Sequence, residues 1–387
     1  MTGPFDVIVV GLGAVGSATA WQLARRGARV LGIDRFSPPH DRGSSHGSTR
    51  ITRLAVGEGP QYVPLVRRSH QIWREIEAAT GEALFQQTGG VVIGAQAAPG
   101  AVHGQDDFVG QTIEIARRHG IAHELLDPDA LRARFPAFVP QGNERCYFEP
   151  EAGFLRPEAC VGAQLALARQ AGAQIRVNEP VLGLEGTDVA VKVRTARDTY
   201  TAAQCIVSAG AWVPGLMGPP FAGVLRVQRQ TLFWFDAENA GGFAPGKFPV
   251  FIWVHGPRTA DAFYGFPTAP GPAGVKIGTE QDEIDTDPDT MQRSVLPEEA
   301  AIAYARHVQG RLAGVAPRLL AAAACPYTVA PQSRFVIARA PRVPRAIVVS
   351  ACSGHGFKHS AALGEALAEQ ALDGGSAISL ADFGLGA

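Results

Sequence analysis

Residues 5–35, FDVIVVGLGAVGSATAWQLARRGARVLGIDR, restrict the fold more than any other stretch. Residues 5–10 form an apolar run, as a strand buried on both faces requires. Gly11, Gly13 and Gly16 follow in a G-x-G-x-x-G pattern. Helix formers occupy residues 18–26, Gly27 ends the helix, residues 29–33 read as a second strand, and Asp34 closes it. Gly11 permits the tight turn, Gly13 lets a pyrophosphate reach the backbone, and Gly16 lets helix and strand pack closely. The helix N-terminus offers free N–H groups and partial positive charge to phosphates. Asp34 is placed to accept from ribose hydroxyls and to repel a 2′-phosphate, which argues against NADP. The pattern is that of a dinucleotide site and does not choose between FAD and NAD. A glycine-rich turn without a ligand is the plainer alternative.

The rest of the composition removes whole classes of function. Of 387 residues, 46% are hydrophobic and 18% charged, as in a packed globular protein of about two domains. A net charge of −1 offers nothing to nucleic acid or an anionic membrane. No run approaches the roughly 18 apolar residues of a membrane span. The start, MTGPFDVIVVG, has no basic region or cleavage site, so a cytoplasmic location with reduced thiols is expected. The cysteines 146, 160, 205, 325 and 352 form no CxxC pair, and no metal site is expected. His355 and His359, four residues apart, are too few for a convincing metal site.

The segment RFSPPHDRGSSHGSTRITRLAVGEGPQYVPL is rich in Pro, Gly, Ser and His. It reads as an ordered loop followed by a helix from about Tyr62, or more plainly as a solvated basic loop. If residues 49–53 are helical, Arg50 and Arg53 share a face, with Thr49 and His46 nearby. This segment, with EPEAGFLRPEAC, IVSAGAW, FYGFP, VKIG, CPYT and SGHGFKHS, resembles the monomeric sarcosine oxidase and N-methyltryptophan oxidase group. These are flavoproteins of the D-amino-acid-oxidase-like fold, and the motifs follow the family order over nearly the whole chain.

The resemblance implies an α/β fold. A discontinuous Rossmann-type FAD-binding domain is expected at residues 1–82, 148–217 and 322–387. A substrate domain on a mixed, largely antiparallel sheet is threaded through it at 83–147 and 218–321. The implied reaction is FAD-dependent oxidation of a secondary amine, sarcosine or another N-methyl amino acid, to an imine, with O2 reduced to H2O2. The partners are then a small amine or amino acid and O2, and the expected state is a monomer. Cys325 corresponds to the cysteine that forms an 8α-S-cysteinyl bond to FAD in such relatives; the plain alternative is a buried free thiol. Implied flavin contacts are Gly11, Gly13, Gly16, Asp34, Ser44, Thr49, Arg50, Val181, Gly210, Gly354, Gly356 and Lys358.

The resemblance also assigns roles. Arg53 and Lys358 correspond to the carboxylate-binding pair, Lys276 to the lysine that promotes reaction with O2, Arg50 and His46 to residues beside the ring, and Tyr264 and Tyr327 to pocket tyrosines. Taken alone, Lys276 reads equally as a snorkelling strand lysine and Lys358 as a solvated turn lysine. Gly354 and Gly356 let the backbone pass a ligand, and residues 360–372 read as an amphipathic helix.

Departures from the family stand at the substrate end. Glu280 occupies the position of a family histidine, where a carboxylate can take part in catalysis by pairing with a cationic amine or with Lys276. Ser45 replaces another histidine, and Trp253 and His255 change the expected pocket side of FIWVHG. These changes leave room for a bulkier or cyclic imino acid substrate. A flavin dehydrogenase with another acceptor, a flavin-carrying subunit without turnover and an NAD-dependent dehydrogenase are the competing readings.

Overall fold

The computed structural model describes residues 5–95, 102–103 and 105–386. The first strand, β1 (Phe5–Val10), lies in parallel between β2 (Val30–Ile33) and the strand Thr199–Val207. Its side chains divide by the two-residue period of a strand. Val7 and Val9 enter one hydrophobic core, and Ile8 and Val10 enter another. Each such fully buried side chain stabilises the fold by roughly 1.5–3 kcal/mol. This eight-stranded sheet continues in parallel to Gln174–Arg176 and to Val343–Ser350, with antiparallel strands at its margins.

Helix α1 (Ala14–Ala24) packs under this sheet. A Cβ at Gly16 would come 1.8 Å from the Gly11 carbonyl oxygen, so only glycine permits this approach of helix to turn. Helix Ser360–Leu372 crosses α1, where a Cβ on Gly364 would meet Ala18 at 2.4 Å. The helix forms over the expected residues, with Glu365, Glu369 and Gln370 on its partly exposed side. Ala361, Ala362 and Ala366 are buried as well as Ser360, Leu363, Gly364, Leu367, Ala368 and Ala371, so the buried face is wider than that of a helix laid on a surface.

A second eight-stranded sheet is mixed and largely antiparallel. Among the described residues its only parallel pair joins Val250–Val254 to Gly90–Ala95. At one edge, the long strand Val315–Val329 pairs with Arg226–Ala237, and residues 321 and 322 both lie within it. A small third sheet joins Arg50–Thr52, Gly153–Leu155 and Phe85–Gln87. Residues 50–52 are therefore a strand, not a helix. Three residues are too few to show a period, and pairing with Gly153–Leu155 decides their conformation. The helix Val63–Thr80 starts where expected. No described helix is long and apolar enough to cross a membrane.

Candidate active site

A cavity of about 940 Å³ is lined by residues of both large sheets and of the loops between them. One group of lining residues is the turn after β1. Gly11 has φ +86°, and a Cβ on Gly13 would meet nothing nearer than the Ser45 hydroxyl at 3.6 Å. The Ala14 N–H, in the first turn of α1, donates to that same Ser45 hydroxyl at 3.3 Å. Asp34 lines the cavity while accepting from the backbone N–H groups of Leu12 at 2.7 Å and Phe36 at 2.8 Å. Val181 and Gly210 also reach this wall.

The loop carrying residues 44–50 is held from several sides. Glu158, in the first turn of helix Pro157–Gln170, accepts from Gly47 N–H at 2.7 Å and Ser48 N–H at 3.1 Å. Arg50 donates to the Thr49 carbonyl at 2.8 Å and the Ser44 carbonyl at 2.7 Å. Ser44 in turn donates to the Pro326 carbonyl at 2.5 Å. Ser44 and Arg50 face the cavity, whereas His46, Thr49, Lys276 and Cys325 are packed behind its wall. The Lys276 ammonium donates to the carbonyls of Gly47 and Thr49, both at 2.7 Å. Burial, with the charge of Arg50 added, holds its pKa well below the usual lysine value. His46 is kept neutral by burial and by Arg50, with a pKa near 4. Burial raises the pKa of the Cys325 thiol, against the pull of Arg50.

A second group of charges lies on the segments of Arg53, Glu58, His103, Glu280 and Lys358, all lining the cavity. Arg53 donates to the Ala55 carbonyl and pairs with Glu58 at 2.8 Å. The Lys358 ammonium donates to the His355 carbonyl at 2.8 Å and stands 3.9 Å from Glu58. Burial lowers the pKa of Lys358 to about 8, with Glu58 opposing the shift. Burial alone would raise Glu58, but Arg53 and Lys358 hold it well below the ordinary carboxylate range. The hydroxyls of Tyr264 and Tyr327 lie 3.1 Å apart on the same cavity. Gly354 and Gly356 line it too, but Gly356 is required by its own chain, since a Cβ there would strike the Ala351 carbonyl at 1.6 Å.

Several expectations change. Glu280 does not pair with Lys276; its partner is His103, at 2.7 Å. His103 and Glu58 were not legible as site residues, although Glu58 lies in the GEGP segment of the family pattern. Trp253 and His255 turn away from the cavity, and their neighbour Ile252 lines it instead. Trp253 is in the core of the second sheet and donates to Glu144 at 2.6 Å, while His255 meets His307 at 3.0 Å. His355 and His359 pack against Phe335 and Tyr62 as neutral rings, with pKa values pushed down mainly by burial. No metal-binding cluster of His, Cys, Asp or Glu occurs among the described residues.

The model of the FAD dependent oxidoreductase family matches residues 6–370. This chain belongs to that family. The oxidoreductase is 39% identical to monomeric sarcosine oxidase of Streptomyces avermitilis over 390 aligned positions, covering 99% of this chain and 97% of the relative. It is 35% identical to N-methyl-L-tryptophan oxidase of Yersinia pestis, covering 98% of each. Among solved structures it is similar to the open form of NikD, an amino acid oxidase essential for nikkomycin biosynthesis. That match has a TM-score of 0.83 at 23% identity and covers 99% of this chain and 98% of the other. The oxidoreductase presents what an FAD requires: open space over Gly13, the N-terminus of α1, the Asp34 carboxylate and a cavity within the usual size range of cofactor sites.

Proposed function

We propose that this oxidoreductase oxidises the secondary amine of an N-methyl amino acid, sarcosine or a larger one, to an imine, with O2 as acceptor and H2O2 as second product. Flavin, when bound, takes the hydride equivalent from the carbon beside nitrogen and passes the electrons to O2. The observation that carries the reading is the pair of buried cations, Arg53 and Lys358, facing the cavity that also holds the glycine turn and Asp34. Arg53 offers a planar fork and Lys358 a compact charge to an α-carboxylate. The Tyr264 and Tyr327 hydroxyls bound the space for the neutral amine. Arg50 supplies fixed positive charge where O2 is reduced, and Lys276 adds to it in its protonated form, which its three oxygen acceptors favour against the burial that lowers its pKa. His46, kept neutral, adds no opposing charge.

Cys325 is the attachment point in this reading. It lies on the same side of its strand as Tyr327, two residues on, whose side chain reaches the cavity. Its Sγ would hold the flavin by a thioether to the 8α-methyl, a bond that would replace one methyl hydrogen and release two electrons and two protons for O2 to take up. The chain acts as a cytoplasmic monomer on a small amine, with residues 1–82, 148–217 and 322–387 as its FAD-binding part. The test is an anaerobic screen of N-methyl and cyclic amino acids, following loss of the oxidised flavin absorbance, with H2O2 measured per turnover in air. An N-methyl amino acid that bleaches the flavin and yields one H2O2 per amine meets the expectation. Bleaching without H2O2 assigns another acceptor, and no bleaching by any amine overturns the reading.

A further inference from the structure

His103 and Glu280 stand beside the carboxylate clamp and form a second recognition element. Nδ1 of His103 faces Glu58 Oε1 at 3.0 Å, and Nε2 faces Glu280 Oε1 at 2.7 Å. An imidazole between two carboxylates donates through both nitrogens, which requires the cationic form. Burial works against that charge, but Glu280 and Glu58 outweigh it and raise the pKa to about 9. Glu280 is thus held by one oxygen, while Oε2 makes no hydrogen bond among the described residues and the side chain lines the cavity. Gly354 leaves room for the pair: a Cβ there would stand 2.7 Å from His103 Nε2 and 2.9 Å from Glu280 Oε1.

The charges favour one kind of substrate. Arg53, Lys358 and cationic His103 face Glu58 and Glu280, so three positive charges meet two negative ones. Neutral His355, 5.4 Å from His103 between ring centroids, adds none. One α-carboxylate balances the cluster. A second carboxylate on the substrate would meet Glu280, and an added cation would leave the balanced cluster with a net positive charge. An apolar side chain would cover the open Glu280 oxygen without giving it a donor, which is unfavourable. A neutral hydrogen-bond donor satisfies it.

We propose that Glu280, positioned by His103, selects N-methyl amino acids whose side chain carries a neutral hydrogen-bond donor such as a hydroxyl. This rests on the amine oxidation proposed above. The test measures anaerobic flavin reduction in the holoenzyme by N-methyl-L-serine against N-methyl-L-alanine, and N-methyl-L-homoserine against N-methyl-L-norvaline. N-methyl-L-aspartate serves as the acidic comparison. In the wild-type enzyme at least one hydroxylated member is preferred by about tenfold or more, the usual scale for a donor meeting a partly buried charged acceptor. N-methyl-L-aspartate is rejected. In Glu280→Gln and in His103→Ala the hydroxyl preference falls to within about threefold, whatever the absolute rates, and Glu280→Gln gains relative activity on N-methyl-L-aspartate. No hydroxyl preference in the wild-type enzyme, or a preference unchanged in both variants, overturns the proposal. If the variants fail to fold, the wild-type ratios decide it alone. If sarcosine and every N-methyl amino acid leave the flavin unreduced, the amine oxidation reading fails instead.

Discussion

The Lys276 ammonium donates to the Thr49 carbonyl at 2.7 Å and so joins the strand Val275–Thr279 to the loop ending in Arg50. Its third partner is the Thr49 hydroxyl at 3.1 Å. A buried cation in that position is fixed before any reaction starts, which is the condition for effective electrostatic stabilisation. Lys276→Met is expected to slow reoxidation by air on the order of a hundredfold, and reduction by substrate much less. Stopped-flow measurement of the two half-reactions checks this, and equal slowing of both counts against the role. Loss of the donor also leaves the buried Thr49 hydroxyl without its partner, while the Thr49 carbonyl keeps Arg50 and the Gly47 carbonyl keeps the Thr49 N–H, so the variant should melt somewhat earlier than wild type.

Cys325 allows a sharp test of attachment. In wild-type protein precipitated with trichloroacetic acid, the yellow colour is expected to stay with the pellet. In Cys325→Ser it should move to the supernatant, with the fold retained, because the serine fills nearly the same buried volume. Colour in the wild-type supernatant would show a free flavin.

Gly13 and Gly16 predict opposite outcomes for the same substitution. Gly13 has φ −70° and open space around a Cβ, so Gly13→Ala should fold with little change in melting temperature but lose flavin. Gly16→Ala forces a methyl into the Gly11 carbonyl, and overpacking of this kind costs about 1–3 kcal/mol or more. Thermal unfolding and flavin content of the two variants separate a ligand contact from a packing contact.

His103 carries a prediction about pH. Its pKa rises from 6.5 to about 9 on folding, so the folded protein binds the proton more tightly than the unfolded chain. The contribution is then complete below about pH 6.5 and is lost as pH rises towards 9. The stability difference between wild type and His103→Ala, from denaturant unfolding, should be largest at pH 6 and shrink steadily to pH 9. A difference that grows with pH would show that His103 is neutral in the native state.

Legibility followed sequence distance. The strand, glycine turn, helix and acid of residues 5–34 could be read directly because each depends on neighbours within a few residues. Glu280 could be noticed only as a departure from a pattern. Its partner lies 177 residues away in a stretch with no period, GAVHGQDD, where nothing marks His103 as a site residue. Trp253 and His255 were misplaced for a related reason. Alternate residues of a strand face opposite sides, and which side meets the cavity depends on the neighbouring strands.

By itself the sequence determined that a dinucleotide-binding βαβ unit forms, because apolar runs and obligatory glycines act locally and admit few alternatives. The tertiary structure alone decided how the charges are shared. It set Lys276 against the Thr49 and Gly47 carbonyls, Arg53 and Lys358 around Glu58, and Glu280 on His103. Charge pairing depends on distance and burial, and both are properties of the packed chain rather than of residue order.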